Sequence, residues 1–241
     1  MRALLPRSVF ALTRAIWTRC NELALNIETM SQSTAPAEGS EPKRPWYRAE
    51  FSPRTKHDDG TCYHSPDYWY VYGIVRGLKP GPEDVFYDIG SGKGRVICVM
   101  ARKQVRKCVG VELFEPLCET ARWNAKRLRG RRSPIEIICE DAAKADLSDG
   151  TVYFMYNPFG PDTMREVLRN IEASLLTNPR RITVVYYNAL LEALLDEQSW
   201  LGKYSGFSLG NGARVSIWRN RPVAKTVSAS GTCPAESLPA S

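Results

Sequence analysis

The stretch Val85-Phe-Tyr-Asp-Ile-Gly-Ser-Gly-Lys-Gly-Arg95 decides the fold of this chain. A short apolar run ends at an acidic residue, and a glycine-rich turn and an apolar run of helical character follow it. Gly90, Gly92 and Gly94 lack a Cβ, so the backbone there can turn tightly and approach a ligand closely. A strand, a glycine turn and a helix in this order predict a nucleotide-type pocket at the carboxyl end of the first strand of an α/β protein.

Two further carboxylates follow at the ends of the next two predicted strands. Val109-Gly-Val-Glu112 predicts a strand whose last residue lies about 20 residues beyond the glycine turn, where a ribose diol is usually bound. Glu112 can accept hydrogen bonds from both ribose hydroxyls. The third predicted strand, 135–139, precedes Asp141, whose carboxylate can accept a hydrogen bond from an adenine amino group.

These residues resemble three motifs of the class I S-adenosylmethionine-dependent methyltransferases. The segment from Asp88 to Arg95 resembles motif I, Glu112 resembles motif II, and Asp141-Ala142 resembles motif III. The resemblance implies S-adenosylmethionine as the cofactor, with its methionine part at the glycine turn. The predicted cofactor site comprises Asp88, Gly90, Ser91, Gly92, Gly94, Glu112, Leu113, Asp141, Ala142 and Asn157.

The chemistry of the turn argues against two other nucleotide sites. Dinucleotide enzymes space their glycines as Gly-x-Gly-x-x-Gly and hold a pyrophosphate at the helix N-terminus. Here the spacing is Gly90-x-Gly92-x-Gly94, and the carboxylate of Asp88 would repel a diphosphate but suits a cationic sulfonium and an amino group. A P-loop is excluded because Lys93 is not followed by Ser or Thr.

A second motif lies at the end of the predicted fourth strand. Tyr153-Phe-Met-Tyr-Asn-Pro-Phe-Gly160 would lie next to the glycine turn in a doubly wound sheet. It resembles motif IV of amino-group methyltransferases, although one proline of that motif is missing. The resemblance implies that the Asn157 oxygen and a proline carbonyl accept hydrogen bonds from the target amine, while an aromatic ring packs against the substrate. The predicted catalytic residues are Asn157, Pro158 and Phe159.

The methyl acceptor is left open by these motifs. A looser similarity to the non-SET histone-lysine methyltransferases covers about residues 60–165, through an Asp-x-Gly-Ser-Gly-x-Gly turn and an Asn-x-Phe site. It implies a nitrogen acceptor such as a protein lysine. The alternatives are a small-molecule O- or C-methyltransferase and a non-catalytic S-adenosylmethionine-binding scaffold. Further candidates for the acceptor site are Tyr156, Tyr186, Tyr187 and Asn188.

Alternating periodicities predict an α/β fold with a doubly wound, mostly parallel seven-stranded sheet and a C-terminal antiparallel hairpin. The predicted strands are 85–89, 108–112, 135–139, 151–156 and 182–187, and the predicted helices are 93–104, 115–128, 161–176 and 189–197. The hairpin is predicted from Tyr204–Leu209 and Arg214–Trp218 around Gly210-Asn211-Gly212.

The chain ends differ from this central domain in composition. Residues 1–29 have the arginines and apolar residues of an amphipathic presequence, unless Met30 is the true start. We expect a disordered linker at 30–45, the methyltransferase domain at 46–221 and a disordered tail at 222–241. This organisation predicts a cytoplasmic protein, or an organellar one if residues 1–29 are a real presequence.

The segment before motif I is rich in aromatic residues. Ser65 and Pro66 predict the start of a helix there, with Tyr68, Tyr72 and Val75 on its buried face. In the family that the motifs resemble, this segment often forms a lid, which makes Tyr63 and His64 candidates for the pocket mouth.

Composition limits the partners. The net charge of +7 and the pI of about 9.1 permit an acidic partner, but the basic residues between 122 and 132 resemble a solvated helix end more than a nucleic-acid surface. The seven cysteines and two histidines lack zinc-site spacing, so no metal is expected. No apolar run is long enough to span a bilayer, which predicts a soluble protein. The predicted partner is the methyl-acceptor substrate, and the oligomeric state is undetermined.

Overall fold

A seven-stranded sheet forms the centre of the molecule, for which a computed structural model describes residues 7–29, 65–209 and 213–221. The strands are β1 (Val85–Ile89), β2 (Lys107–Glu112), β3 (Ile135–Cys139), β4 (Val152–Met155), β5 (Thr183–Tyr187), β6 (Leu201–Ser208) and β7 (Arg214–Asn220). Their order is β3-β2-β1-β4-β5-β7-β6. β1 to β5 are parallel, and β7 is antiparallel to both β5 and β6. The predicted doubly wound sheet with a terminal hairpin is confirmed.

Helices cover both faces of this sheet. They are α1 (Arg7–Leu25), α2 (Tyr68–Leu78), α3 (Arg95–Met100), α4 (Glu115–Arg127), α5 (Pro161–Thr177) and α6 (Glu192–Asp196). Successive residues of β1 point to opposite faces, as strand geometry requires. Tyr87 belongs to the apolar core beneath α5 and α6, whereas Phe86 belongs to the core beneath α1, α2 and α3.

The order of the strands fixes where a ligand can bind. Strands β2 and β3 extend the sheet on one side of β1, and β4 and β5 extend it on the other. The connections therefore reverse direction between β1 and β4, and the crevice outside their carboxyl ends is the binding place in open α/β sheets. Asp88 and Ile89 of β1 face this edge, as do the residues that follow Met155 of β4.

Three helix starts differ from the sequence prediction, of which the latest, α6, begins at Glu192 instead of residue 189. α2 begins at Tyr68, because Asp67 is extended and uses its carboxylate to accept a hydrogen bond from Arg14 Nε (2.6 Å) instead of capping the helix. α3 begins at Arg95, since Gly94 has a left-handed φ of 80° and keeps Lys93 in the turn. Of the residues predicted to face the core from α2, Tyr68 and Val75 are buried and Tyr72 is half-buried.

The N-terminal helix is packed onto the domain. Leu25 and Ile27 are 1% and 3% exposed and belong to the core beneath α1, α2 and α3. The Asn124 amide donates to Glu28 O (2.9 Å) and accepts from Glu28 N (2.8 Å). This earlier segment therefore supplies core residues to the domain that the sequence predicts at 46–221. A start at Met30 would remove all of these contacts.

Several sequence predictions lie outside the described residues. They concern the linker at 30–45, the pocket-mouth residues Tyr63 and His64, the hairpin turn at 210–212 and the tail at 222–241. Among the residues that are described, no helix is both long and apolar enough to cross a bilayer.

Candidate functional site

The glycine turn after β1 needs the conformations that only glycine adopts without strain. Gly90, Gly92 and Gly94 have φ values of 78°, 54° and 80°. The amides of Gly90 and Ser91 both donate to Val111 O (2.8 and 3.0 Å), which ties the turn to β2. A Cβ on Gly90 would lie 2.3 Å from Pro158 Cβ. The turn therefore presses directly against the segment that follows β4.

Asp88 is a buried carboxylate with an unused oxygen. It is 3% exposed, and its Oδ2 accepts no hydrogen bond from the described residues. Burial and the nearby Glu112 carboxylate raise the pKa of Asp88 to about 8, although a hydrogen bond from the Ile97 amide opposes the shift. An orphaned buried oxygen costs free energy unless a ligand supplies its partner. A cationic or N–H-bearing ligand would supply it.

Glu112 closes the other side of the turn. Its Oε2 accepts from the Gly92 amide (2.8 Å), and its Oε1 accepts from the amides of Leu113 (2.9 Å) and Phe114 (3.1 Å). Burial raises the pKa of Glu112, and these three backbone N–H groups oppose that shift. Because a carboxylate has about four lone-pair sites, this group can still accept a hydroxyl hydrogen bond.

Two carboxylates therefore flank one turn. Such a pair attracts a ligand with positive charge and repels a diphosphate. The hydroxyl of Ser91, which is buried and lacks a hydrogen-bond partner within the described part of the chain, adds a second unused polar atom. These groups suit the methionine and ribose parts of S-adenosylmethionine.

The predicted adenine-side residues divide between surface and core. The Asp141 Oδ1 accepts from the Ala143 amide (3.0 Å), and Lys144 Nζ lies 3.9 Å from Oδ2. Ala142, 9% exposed, packs into the core beneath α5 and α6. Leu113 is 42% exposed and adjoins Phe114, which is 49% exposed. Sequence reasoning missed this exposed aromatic side chain, although its position directly after the Glu112–Leu113 pair was a usable signal.

Asn157 is held by the fold instead of facing outward. It has a φ of 46° and is 6% exposed. Its Oδ1 accepts from the hydroxyl of Tyr186 (2.7 Å) and from the amide of Leu190 (3.3 Å), while its Nδ2 donates to Asn188 O (2.9 Å). Both lone pairs of the oxygen are thus used within the fold, and the hydrogen bond from Asn157 to a target amine stays a prediction.

Phe159 is buried as well, and its contact with a substrate stays a prediction. It is 6% exposed and belongs to the core beneath α5 and α6, together with Met164 and Val167. An aromatic side chain in this position, just before α5, gains free energy from burial. Pro158 is at the edge of the site, because it packs against Gly90.

Three tyrosines form a cluster beside these residues. The rings of Tyr156 and Tyr187 have centroids 4.6 Å apart, and Tyr70 of α2 lies 6.1 Å from Tyr187. Tyr156 follows β4 and Tyr187 ends β5, so the cluster lies at the carboxyl edge of the sheet. Tyr70 and Tyr156 are partly exposed. The sequence predicts Tyr156 and Tyr187 as candidates for the acceptor site. It does not predict Tyr70, because the position of Tyr70 depends on how α2 packs against the sheet.

A buried ionic cluster supports the helix that leaves the glycine turn. Arg95 is 4% exposed and donates to Thr29 Oγ1 (2.8 Å) and to Pro66 O (2.9 Å), and its Nη2 lies 3.8 Å from Glu22 Oε1. Its guanidinium also lies 4.6 Å from the centre of the Tyr68 ring. The cluster joins the N-terminal segment, the start of α2 and motif I. Sequence reasoning missed it, because its members are far apart along the chain.

Comparisons of the sequence find similarity to known methylation proteins. Residues 61–137 match a family model described as histone methylation protein DOT1, a range that contains the glycine turn and Glu112. A protein-lysine N-methyltransferase of Saccharolobus islandicus (strain REY15A) is 32% identical over 89 residues, which are 36% of this chain and 53% of that protein. The chain therefore spans about half the length of that curated relative.

Solved structures share the fold. An RNA methyltransferase from Salinibacter ruber, in complex with S-adenosyl-L-homocysteine, is 28% identical with a TM-score of 0.51, over 66% of this chain and 94% of that chain. A precorrin-6y C5,15-methyltransferase from Geobacter metallireducens GS-15 has a TM-score of 0.51 at 14% identity, over 69% and 95% of the two chains, and shows the fold alone.

The fold and the motif region are similar to those of the class I S-adenosylmethionine-dependent methyltransferases, whose cofactor is S-adenosylmethionine. Within that class, its motif I region is similar to the DOT1-type histone methylation proteins.

Proposed function

We propose that this chain transfers a methyl group from S-adenosylmethionine to the side-chain amine of a lysine in a protein. The cofactor side of the proposal depends on Asp88, whose buried and unused oxygen lies beside the Glu112 carboxylate. We infer that Asp88 and the turn from Gly90 to Gly94 hold the methionine part. Glu112 would hold the ribose, and Asp141 would lie on the adenine side with Leu113 and Ala142.

The single observation that carries the lysine proposal is the tyrosine cluster at the same edge of the sheet. The Tyr156 and Tyr187 rings pack at 4.6 Å, and Tyr70 adds a third ring from α2. Aromatic faces attract an ammonium group and pack along its alkyl stem. A long, flexible cationic side chain therefore suits this cluster better than a rigid, anionic or strongly polar acceptor does.

The reaction needs alignment more than acid–base chemistry. When bound, S-adenosylmethionine supplies a methyl group already activated on a sulfonium sulfur. The lysine nitrogen would first give up a proton to water, and its lone pair would then take the methyl group in line, with the sulfur leaving as a neutral thioether. We infer that Asn157 contributes by positioning, because its side chain fixes the ends of β4 and β5 on which Tyr156 and Tyr187 lie.

RNA is the second candidate acceptor, favoured by the 28% identity to the Salinibacter ruber RNA methyltransferase. The basic residues near the end of α4 do not strengthen that candidate. α4 begins beside the carboxyl end of β2 and ends at the opposite edge of the sheet. The chain that follows α4 lies at this opposite edge, because the Ser133 hydroxyl donates to Val105 O and the Cys108 amide donates to Pro134 O. The basic cluster thus lies at the amino ends of β2 and β3, across the sheet from the glycine turn.

The test uses tritiated S-adenosylmethionine with the purified full-length protein and a total extract of its own organism. We expect protease-sensitive label that elutes as methylated lysine after acid hydrolysis. The Asp88→Asn variant, which keeps the tyrosine cluster, is the matched control and should label at background. Label that ribonuclease removes would contradict the lysine proposal and favour RNA. Label in small molecules alone would contradict both.

A further inference from the structure

A pair of thiols lies directly behind the Glu112 turn. Cys118 is on the first turns of α4, and Cys139 is the last residue of β3. Their Sγ atoms are 2.7 Å apart, closer than an ordinary van der Waals contact between two sulfur atoms. A further approach of about 0.7 Å would reach the length of a disulfide bond. We propose that Cys118 and Cys139 form a reversible disulfide, which makes this pair an oxidation site coupled to the cofactor turn.

The same cluster includes a carboxylate, which raises the question of a metal. Glu115, Cys118 and Cys139 have ligand atoms within 4.8 Å of one another. Two thiolates on one tetrahedral zinc ion, each about 2.3 Å from the metal, lie about 3.8 Å apart. The observed pair is far closer than that, and Glu115 Oε1 is already bound by Arg122 Nη1 (2.6 Å). The geometry therefore favours a bond between the sulfurs over a shared ion.

Exposure decides which thiol reacts first. Cys118 is buried, whereas Cys139 is half-buried and within reach of a soluble reagent. In the first step the Cys139 thiolate attacks a low-molecular-weight disulfide, which forms a mixed disulfide on Cys139 and releases one small thiolate. In the second step the Cys118 thiolate attacks the Cys139 sulfur of this mixed disulfide and releases the other small thiolate. The protein loses two thiol protons and two electrons, and the small disulfide is reduced to two thiols. Excess dithiol reverses both steps.

The pair is coupled to the turn through two carbonyls. Cys118 Sγ donates to Glu112 O (3.4 Å), and Cys139 Sγ lies 3.9 Å from Leu113 O. Disulfide formation removes both S–H donors and draws the start of α4 toward β3. Since the Glu112 side chain is placed by amides of this same turn, we expect the oxidised protein to bind S-adenosylhomocysteine about threefold or more weakly. This consequence rests on the proposed cofactor role of Glu112.

The experiment incubates the full chain with oxidised glutathione, blocks free thiols and digests with trypsin. Burial raises the pKa of both thiols, so the exchange is run at pH 8.5. Mass spectrometry should find the peptide 108–122 linked to the peptide 133–144, with fragmentation assigning the bond to Cys118 rather than Cys108. Dithiothreitol should release both peptides. Cys139→Ser should prevent the link, whereas Cys20→Ser, which removes an exposed thiol elsewhere, should leave it intact.

Three results would overturn the inference. They are peptides that stay unlinked, glutathione that remains on Cys139 alone, and stoichiometric zinc that Cys139→Ser abolishes. A link that forms without any change in S-adenosylhomocysteine affinity would overturn the coupling to the turn. Failure of the reduced protein to bind S-adenosylhomocysteine would instead count against the proposed function, because the peptide link is measured without ligand.

Discussion

Replacement of Asp88 by asparagine should change stability and cofactor affinity in opposite directions. The variant keeps the size of the side chain but removes a buried charge whose Oδ2 lacks a partner among the described residues. At pH 8.5 the Asp88 carboxyl is mostly ionised, and a buried charge with an unpaired oxygen costs about 1–3 kcal/mol more than a neutral amide in its place. We therefore expect the free energy of unfolding to rise by about 1–3 kcal/mol at pH 8.5, measured by urea denaturation without ligand.

The pH dependence of this gain follows from the pKa of Asp88. Burial and the Glu112 carboxylate raise it to about 8, above the usual value of 3.8, so the folded protein keeps a proton that the unfolded chain has already lost. The stability of the wild type therefore falls as pH rises from about 4 to about 8. The advantage of Asp88→Asn should shrink toward pH 5. A variant less stable than the wild type at pH 8.5 would refute this reasoning.

The same substitution should weaken cofactor binding. A hydrogen bond to a charged group contributes about 1.5–3 kcal/mol, so the Kd for S-adenosylmethionine should rise about 10- to 150-fold in calorimetry. Because ligand binding favours the ionised carboxylate, the wild-type affinity should increase between pH 6 and pH 8 more steeply than the affinity of the variant. Equal affinities at every pH would remove Asp88 from the site. Glu22→Gln is a useful control, because Glu22 lies beside Arg95 and its loss should lower stability.

Three further substitutions test other parts of the account. Gly90→Ala should abolish S-adenosylhomocysteine binding or folding, because φ is 78° and the new Cβ would lie 2.3 Å from a carbon of Pro158. Calorimetry measures binding and circular dichroism measures folding. A variant that folds and binds the ligand would count against the role of the turn. Tyr186→Phe should leave cofactor affinity within about twofold but raise the barrier to turnover by about 1–2 kcal/mol, because Asn157 loses a hydrogen bond. An unchanged kcat would argue against a positioning role for Asn157. Arg95→Met should lower the free energy of unfolding, measured by urea denaturation, by about 3–5 kcal/mol, because Glu22 loses its buried partner. A loss below about 1 kcal/mol would mean that the ionic cluster does not support motif I.

The sheet was predictable because its strands carry local signals. β1 and β3 have the bounds that their apolar runs predicted, and the order of strands follows from alternating strands and helices with right-handed crossovers. Motif I and Glu112 were predictable for the same reason, since a glycine turn and a strand-ending carboxylate are contiguous in sequence. The structure brings them together by hydrogen bonds from the Gly92 amide to the Glu112 carboxylate and from the Gly90 amide to Val111 O.

The parts that sequence reasoning missed depend on contacts between distant segments. The partners of Asn157 lie about 30 residues away at the end of β5, so no local pattern showed that its oxygen was already used. The N-terminal helix carries arginines typical of a presequence, yet Glu22 and Leu25 on this helix, and Ile27 just beyond its end, are buried. Helical periodicity alone does not reveal which of two faces meets the rest of the domain.

A crystal structure of the full chain with S-adenosylhomocysteine tests the central claim most directly. The account predicts the ligand's amino group within about 3.2 Å of Asp88 Oδ2 and its ribose hydroxyls within hydrogen-bond distance of Glu112. It also predicts that the sulfur faces the tyrosine cluster formed by Tyr70, Tyr156 and Tyr187. A ligand bound away from the Gly90–Gly94 turn, or a pyrophosphate seated on that turn in a parallel soak with a dinucleotide, would contradict it.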